Sequence, residues 1–468
     1  MLPDEVLLAI FDFCADEDGR GNEDIEAWQT LVHVCPRWRN VVFGSPRRLN
    51  LRLVCTSRTR ALDIWPALPV SIQCDHGLPK ESVDNIVAVL ERSSRVCQIN
   101  LSVSSLHLEK VSAAMQKPFL RLTHLTLKLE PNGETATVLP DLFLGESAPC
   151  LQSLYLGGIP FPALPNLLLS ATQLVHLRLI NIPHSGYISP EAMITALSSL
   201  TSLKFLQLGF QSPRSCPDWA SRRLPPPTRF VLPVLEDFEF KGVSEYLDDL
   251  MAHIYAPTLN ELSITFFNDI LFDTPQLIQF ISRTPMFNVL NIARVTFENG
   301  AARVELLSQI SGNRRLEVKI RCRELDWQVP SLEQVCSSCL PPLSMLEDLY
   351  IREESYCQDN IENTMWLDLL HPFTAVKNLT LSGEVARHIA PALQELVGGR
   401  TTEVLPTLQN IFLTEFGPFR AVPEGIEQFV ARRQVTGHPI AVQVTRSYTR
   451  SGSYTRSSSN IVVRSLSL

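Results

Sequence analysis

A short apolar pattern recurs along most of this 468-residue chain and constrains its fold more than any other feature. The clearest copy is LVHLRL at residues 174–179, in which one apolar residue is followed by others three and five positions later. Further copies begin at Leu122, Leu151, Leu203, Leu235, Leu259, Phe287, Leu346, Val376 and Leu408, with an earlier one at Val96 and a degenerate one at Leu316. The mean spacing of about 29 residues is typical of stacked structural units.

The residues around the copies indicate that strands and helices alternate. In five copies a proline stands two residues before the first apolar position, where its fixed φ suits the leading edge of a strand. Between copies, Ser189, Pro190 and Glu191 have the composition of a helix start, and apolar residues follow at helical spacing. One such unit cannot bury its apolar side alone, whereas stacked units can. The sequence therefore predicts an α/β solenoid over residues 96–445, with a parallel concave sheet and convex helices.

The pattern resembles that of leucine-rich repeats, with two departures. The asparagine that usually follows the strand is mostly missing, and the spacing varies from 23 to 32 residues. We therefore predict an irregular, leucine-rich-repeat-like solenoid. The alternative is a doubly wound α/β fold, which would be expected to carry a glycine-rich phosphate loop after a strand. The sequence contains no such loop.

Composition limits the partners and the compartment. The net charge of −8 argues against nucleic acid as the main partner. Without a secretory leader pattern or a long apolar run, we expect a cytoplasmic or nuclear protein with no membrane partner. The eleven scattered cysteines are typical of free thiols in a reducing compartment. Because the sequence lacks P-loop, HExxH and GxSxG motifs, we expect no catalytic residue, no cofactor and no metal site.

The first 46 residues have a different pattern, that of a small all-α domain. Pro3, Asp4 and Glu5 suit the first turn of a helix, and the apolar residues that follow share one face. An acidic interruption over residues 16–24 separates this helix from a second apolar one, after which Cys35 and Trp38 lie in the sequence CPRWR. Periodicity alone fits a cap on the solenoid as well as a docking module.

In order, the residues LP-x-EVL-x-x-IF from Leu2 and VC-x-x-W from Val34 resemble an F-box over roughly residues 2–46. The resemblance implies docking on the small adaptor of SCF-type cullin–RING ubiquitin ligases. The residues it assigns to the docking surface or the module's core are Leu2, Pro3, Val6, Leu7, Ile10, Phe11, Leu31, Val34, Cys35 and Trp38. Three departures are the start of the chain almost at the motif, the acidic interruption that lengthens the first loop, and Arg47-Arg48-Leu49, where the family often has Leu-Trp. An F-box followed by leucine-rich-type repeats is an arrangement abundant in fungal proteomes.

The order of the modules predicts a substrate-receptor subunit of an SCF-type ligase. Its partners would be the adaptor, through it a cullin, and an unknown protein target. The residues predicted to bind the target from outward strand positions are Tyr155, Arg178, Phe205, Glu239, Glu261, Lys319, Arg321, Tyr350 and Arg352. Aromatic residues and arginine dominate protein interfaces. The alternative is a ligase-independent repeat scaffold in which residues 2–46 only cap the solenoid.

The remaining segments connect or end these domains. Residues 47–95 are expected to join the helical domain to the solenoid and to form its first irregular repeats. Residues 211–233 are rich in Ser, Pro and Arg and are predicted to form a projecting loop. The Ser/Arg-rich residues 446–468 lack core positions and are predicted to be a disordered tail.

Overall fold

The structure is a computed structural model that divides into two compact units, residues 1–217 and 218–468. The described residues are 2–16, 27–46, 52–55, 68–74, 80–130, 137–213, 229–267, 274–309, 314–322, 325–338, 340, 343–354, 361–416 and 421–446. The predicted tail, the acidic interruption after residue 16 and most of the predicted loop at 211–233 lie outside these ranges.

Unit 1 begins with three helices that pack on one another: α1 (Asp4–Asp16), α2 (Ala27–Val34) and α3 (Pro36–Gly44). Two carboxylates in the first turn of α1 complement the helix dipole. Helix α3 begins after Cys35, whose Sγ accepts a hydrogen bond from the backbone N–H of Trp38 at 3.5 Å. The buried ring of Phe11 packs against the ring of Trp38, with centroids 4.8 Å apart. These contacts join the first helix to the third.

Within the described ranges of unit 1, seven strands pair in parallel in the order of the chain, without a reversal of strand order. They are β1 (Leu53–Cys55), β2 (Val70–Cys74), β3 (Val96–Val103), β4 (His124–Leu129), β5 (Ser153–Gly157), β6 (His176–Ile182) and β7 (Phe205–Phe210). The helices between them are α4 (Lys80–Leu90), α5 (Ser105–Ala114), α6 (Leu164–Ser170) and α7 (Pro190–Ser198). The register aligns Leu125, Leu154, Leu177 and Leu206, all buried, while the alternating residues remain partly exposed.

The described residues of unit 2 contain nine strands in the large sheet and two in a small separate sheet. The strands are β8 (Phe230–Val231), β9 (Asp237–Gly242), β10 (Ile254–Tyr255), β11 (Glu261–Phe267), β12 (Ile292–Glu298), β13 (Ala301–Leu307), β14 (Arg315–Arg321), β15 (Asp348–Glu353), β16 (Asn378–Ser382), β17 (Asn410–Phe416) and β18 (Ala441–Arg446). The helices are α8 (Ser244–His253), α9 (Pro275–Arg283), α10 (Leu325–Ser338), α11 (Asn363–Leu370), α12 (Gly383–Gln394) and α13 (Glu424–Val435). Strands β8 and β10 form the small sheet.

The nine strands of unit 2 in the large sheet have the order β9-β11-β14-β13-β12-β15-β16-β17-β18. Strand β13 is antiparallel to both β12 and β14, whereas the other pairs described in this sheet are parallel. The chain therefore forms a meander between β11 and β15, in the segment where the sequence pattern predicted two further repeats. A mixed α/β class with a large, mostly parallel sheet is confirmed, with thirteen helices in the described residues.

The predicted phase of the repeat is confirmed for most copies and wrong for two. In nine copies, such as those at Leu122 and Leu408, the strand begins two residues after the first apolar position. The copy assigned to Phe287 actually starts at Leu290, because Ala293 pairs with Leu349 of the next repeat. Likewise, Leu316 pairs with Leu262 and is therefore a second apolar position, not a first one. The pattern misses Ala293 because its side chain is small, although it occupies a core position.

The last helix of unit 2 is held by a fully buried arginine. The guanidinium of Arg433 in α13 donates hydrogen bonds to the carbonyl oxygens of Thr401, Leu405 and Pro406 at 3.1, 3.2 and 3.2 Å. It also lies over the ring of Phe429, with Cζ 5.8 Å from the ring centroid. The backbone of Leu405 has a φ of 50°, so the segment that accepts these bonds turns sharply. Arg433 fastens this turn to α13.

Candidate protein-interaction surfaces

The first helices expose an apolar strip. Leu2, Val6 and Ile10 follow one another at intervals of four residues, and their side chains are 52%, 41% and 42% exposed. Val34, at the end of α2, is 57% exposed. Leu2, Val6, Ile10 and Val34 are called the exposed strip below. Several exposed apolar side chains on short helices are typical of a site that another protein covers.

The other residues assigned to adaptor docking divide between core and supporting positions. Leu7 and Phe11 are 4% and 0% exposed and form the core of the three helices. Pro3 is exposed, whereas Leu31, Cys35 and Trp38 are half-buried. Cys35 caps α3 and Trp38 contacts Phe11, so both hold the helices together. The apolar residues of α1 therefore form two rows, a buried one with Leu7 and Phe11 and an exposed one with Val6 and Ile10. Periodicity alone cannot tell the two rows apart.

Sequence reasoning missed Arg37, which ties α3 to the start of α1. Its Nη2 atom donates to the carbonyl oxygen of Leu2 at 2.5 Å and to Oδ1 of Asp4 at 2.7 Å. Both side chains of the ion pair are more than a third exposed, so it contributes little to stability. Its effect is positional, since it fastens the backbone of Leu2 and the first turn of α1 to α3.

The strands of unit 1 present a second candidate surface, on the side opposite their buried leucines. Its outward residues are Gln98, Asn100, Ser102, His124, Thr126, Lys128, Ser153, Tyr155, Gly157, His176, Arg178, Ile180, Phe205 and Gln207. This set is called the unit 1 face below. It contains one lysine, one arginine and two histidines, and neither aspartate nor glutamate. In the whole chain, by contrast, acidic residues outnumber Lys and Arg. Glu130 follows β4 beyond the end of this set.

Two cations on the unit 1 face lie against aromatic rings. The Cζ atom of Arg178 is 4.3 Å from the centroid of the Phe205 ring, and Nζ of Lys128 is 5.1 Å from that of Tyr155. A Cβ atom at Gly157 would lie 3.0 Å from Cε1 of Tyr155, so the glycine leaves room for the ring. The predicted target-binding residues Tyr155, Arg178 and Phe205 thus lie together, and Lys128 joins them.

The histidines of the unit 1 face report its positive surroundings. Partial burial, followed by the charges of Arg52 and His176, lowers the pKa of His124 below its ordinary value. Partial burial, followed by Arg178 and Lys204, lowers the pKa of His176 in the same way. The lowered pKa values favour the neutral form of both rings, so the positive charge of this face is carried by Lys128 and Arg178.

The corresponding surface of unit 2 is occupied by a network of ion pairs. Its members are Glu261, Glu298, Glu305, Glu317, Arg294, Arg303, Arg315 and Lys319, four acids and four bases. Arg315 approaches Glu317 at 2.5 Å, Glu305 at 2.6 Å and Glu261 at 3.2 Å. Burial of the Arg315 guanidinium is outweighed by these three carboxylates, which raise its pKa above the ordinary value. The acidic and basic side chains on this surface therefore balance one another.

The six predicted target-binding residues of unit 2 have different surroundings. Glu261 and Lys319 belong to the network, with Lys319 2.5 Å from Glu298. Arg352 pairs with Glu354 at 3.3 Å. Arg321 and Tyr350 are exposed and Glu239 is half-buried. The hairpin β12–β13 supplies Glu298 and Glu305. Sequence reasoning missed Glu305 because it assigned no strand to residues 301–307, and it missed Glu298 because it placed the copy at Phe287 three residues too early.

Removal of the central cation of this network is expected to destabilise the protein. In Arg315→Met, Glu305 and Glu317, whose side chains are only 8% and 9% exposed, lose their shortest ion pairs. We expect the free energy of unfolding to fall by about 2–3 kcal/mol, less than for a fully buried pair because a third of Arg315 reaches water. Urea denaturation of the full chain measures this. The control Arg352→Met, at an exposed pair, should cost under about 1 kcal/mol; equal losses would contradict the prediction.

Comparison with known proteins assigns this chain to no family. A scan against models of protein families finds no match, and a search among curated proteins finds none either. Within the described ranges, no group of three or more His, Cys, Asp or Glu side chains is arranged to hold a metal ion. None of the helices in the described part of the chain is long and apolar enough to cross a membrane.

Proposed function

We propose that this chain is a substrate-receptor subunit of an SCF-type cullin–RING ubiquitin ligase. Helices α1–α3 would be its F-box, which docks on the ligase adaptor. The strands and helices that follow would form a leucine-rich-repeat-like solenoid whose outward strand residues hold a protein target. The observation that carries the proposal is the exposed strip, because its residues are those that the F-box resemblance assigns to docking.

The exposure of the strip supports docking rather than a purely structural role. An isolated surface helix buries one apolar stripe and turns polar residues to water. Helix α1 already buries Leu7 and Phe11, yet it also leaves Val6 and Ile10 about 40% exposed. Their burial by a partner would contribute binding free energy through the hydrophobic effect. The adaptor of the ligase is the partner to which the resemblance points.

The packing of the three helices also favours a docking module over a cap. Among the described residues of unit 1, the extensive contacts of α1–α3 are with one another, not with β1 or β2. A cap would be expected to cover the edge of the first strands, because terminal repeats protect the core from water. A module that packs on itself can instead offer its free surface to another protein.

The proposed contribution to ubiquitin transfer is proximity. A receptor that holds the adaptor at one end and a target at the other raises the effective concentration of target lysines near the charged conjugating enzyme. This role needs two binding surfaces and no catalytic residue of its own. The exposed strip and the outward strand residues would be these surfaces.

Co-expression with a cullin-ligase adaptor tests the proposal. We expect a one-to-one complex in gel filtration, because the exposed strip would become buried in the interface. The control is the same experiment with the adaptor and an unrelated repeat protein. A monomer that melts cooperatively but does not bind the adaptor would contradict the proposal and favour the ligase-independent scaffold.

A further inference from the structure

We propose that the unit 1 face binds an acidic, extended segment of a partner protein, with Lys128 and Arg178 each pairing with a carboxylate. The inference rests on the proposed role of the outward strand residues in target binding, and it does not depend on adaptor docking. The target segment would be recognised by its carboxylates.

The composition of the unit 1 face favours an anionic ligand. Lys128, Arg178, His124 and His176 lie on neighbouring strands, and no carboxylate occupies any outward position of that set. None of these four residues forms an ion pair with any other described residue. In unit 2, by contrast, each of the eight charged side chains in the network has an oppositely charged neighbour. Unit 1 leaves its cations available to an anionic partner.

The aromatic rings make these cations better anchors than freely moving surface residues. The ring of Phe205 underlies Arg178 and that of Tyr155 lies beside Lys128, so each cation is partly held before a ligand arrives. A pre-organised side chain loses less conformational entropy on binding. Because tyrosine, arginine and phenylalanine are enriched at interfaces, the same four residues can also bury apolar parts of a peptide.

The spacing of the cations favours carboxylates over phosphate. Lys128 is in register with Gly157 on β5, whereas Arg178 on β6 is in register with Tyr155, two residues earlier. Two strand intervals of about 4.8 Å and this two-residue offset separate the backbones of Lys128 and Arg178 by roughly 12 Å. A phosphate group is best bound by several donors that converge on it. Two carboxylates three residues apart on an extended polyproline-II segment are about 9 Å apart, and the long side chains of Lys128 and Arg178 can span the remaining difference of about 3 Å. The geometry therefore fits an acidic residue at every third position.

Binding of designed peptides to the full chain tests the inference. The probe is a fluorescein-labelled peptide of four Glu-Ala-Pro repeats, measured by fluorescence anisotropy at low salt. We expect it to bind, with Lys128→Gln plus Arg178→Gln weakening its affinity at least about tenfold. The matched control is Lys117→Gln plus Arg121→Gln, which removes the same charge at exposed positions off the face. That control should change affinity less than about twofold.

Three results would overturn the inference. The first is equal loss in the two double variants, which would mean only non-specific attraction. The second is equal binding of a Gln-Ala-Pro peptide, which would exclude a role for carboxylates. The third is much tighter binding of a bis-phosphoserine peptide or a single-stranded oligonucleotide of similar charge, which would assign the face to phosphate. Adaptor binding is measured separately, so a chain that binds the adaptor but not the peptide contradicts this inference alone.

Discussion

Val6→Asp combined with Ile10→Asp should abolish binding to the ligase adaptor while leaving the fold intact. Both side chains are about 40% exposed, so the new carboxylates stay hydrated in the free protein. In the complex they would be buried without a partner, at a cost of several kcal/mol. We therefore expect affinity to fall at least about 100-fold, the equivalent of roughly 2.7 kcal/mol. Titration calorimetry with purified adaptor measures it.

The control for this pair is Leu106→Asp with Leu120→Asp. These leucines are 66% and 59% exposed, lie outside α1–α3 and receive the same change of charge and polarity. Adaptor affinity should be unaffected by them, and the melting temperatures of both double variants should stay near that of the parent. Undiminished binding by the Val6 and Ile10 variant would show that this strip is not the docking surface. Leu7→Asp cannot serve as the test, because Leu7 is 4% exposed and its replacement disrupts the helical core.

Arg433→Ala should be among the most destabilising single substitutions in unit 2. It removes a fully buried side chain and leaves the carbonyl oxygens of Thr401, Leu405 and Pro406 without these donors. Each buried acceptor that loses its partner costs about 1–3 kcal/mol, and the vacated volume adds to this. We expect the free energy of unfolding to fall by about 3–5 kcal/mol, measured by urea denaturation.

A neighbouring arginine supplies the control. Arg387 on α12 is 46% exposed and pairs with Glu384 at 3.1 Å. Arg387→Ala deletes the same side chain from the surface and should cost under about 1 kcal/mol. Arg433→Lys would keep the charge but not the planar fork, so it should lie between the two. If Arg433→Ala is no more harmful than Arg387→Ala, then the turn at Leu405 is held by other contacts.

The strand positions could be predicted from sequence because they depend on local patterning. Leucines three and five residues after a first apolar residue must enter the core when strands of successive repeats pair in parallel. The pattern failed in the meander, where Ala293 takes a core position and β13 runs against its neighbours. Pairing partners of β12–β14 are set by long-range contacts, and the repeat pattern carries no signal for them.

The candidate surfaces show the same division between local and long-range information. Periodicity identified the apolar stripe of α1, but only the packing of Phe11 on Trp38 separates its inner row from its outer row. The outward positions of Arg178 and Phe205 could be read from alternation along a strand. Their contact could not, because it depends on the register of β6 and β7. The pairing of opposite charges in unit 2 likewise could not be predicted, because it depends on Arg303 and Glu305 of β13.

The reversed order of β12–β14 has a consequence for synthesis on the ribosome. In unit 1, residues paired between β4 and β7 are 23 to 29 positions apart, so each new strand can join the one made just before it. Strand β11 instead pairs with β14, which is synthesised later: the paired residues Glu261 and Arg315 are 54 residues apart. At about 5–20 residues per second, one edge of β11 stays unpaired for several seconds. During that interval the nascent chain presents an open strand edge, the kind of surface on which chains aggregate and chaperones act.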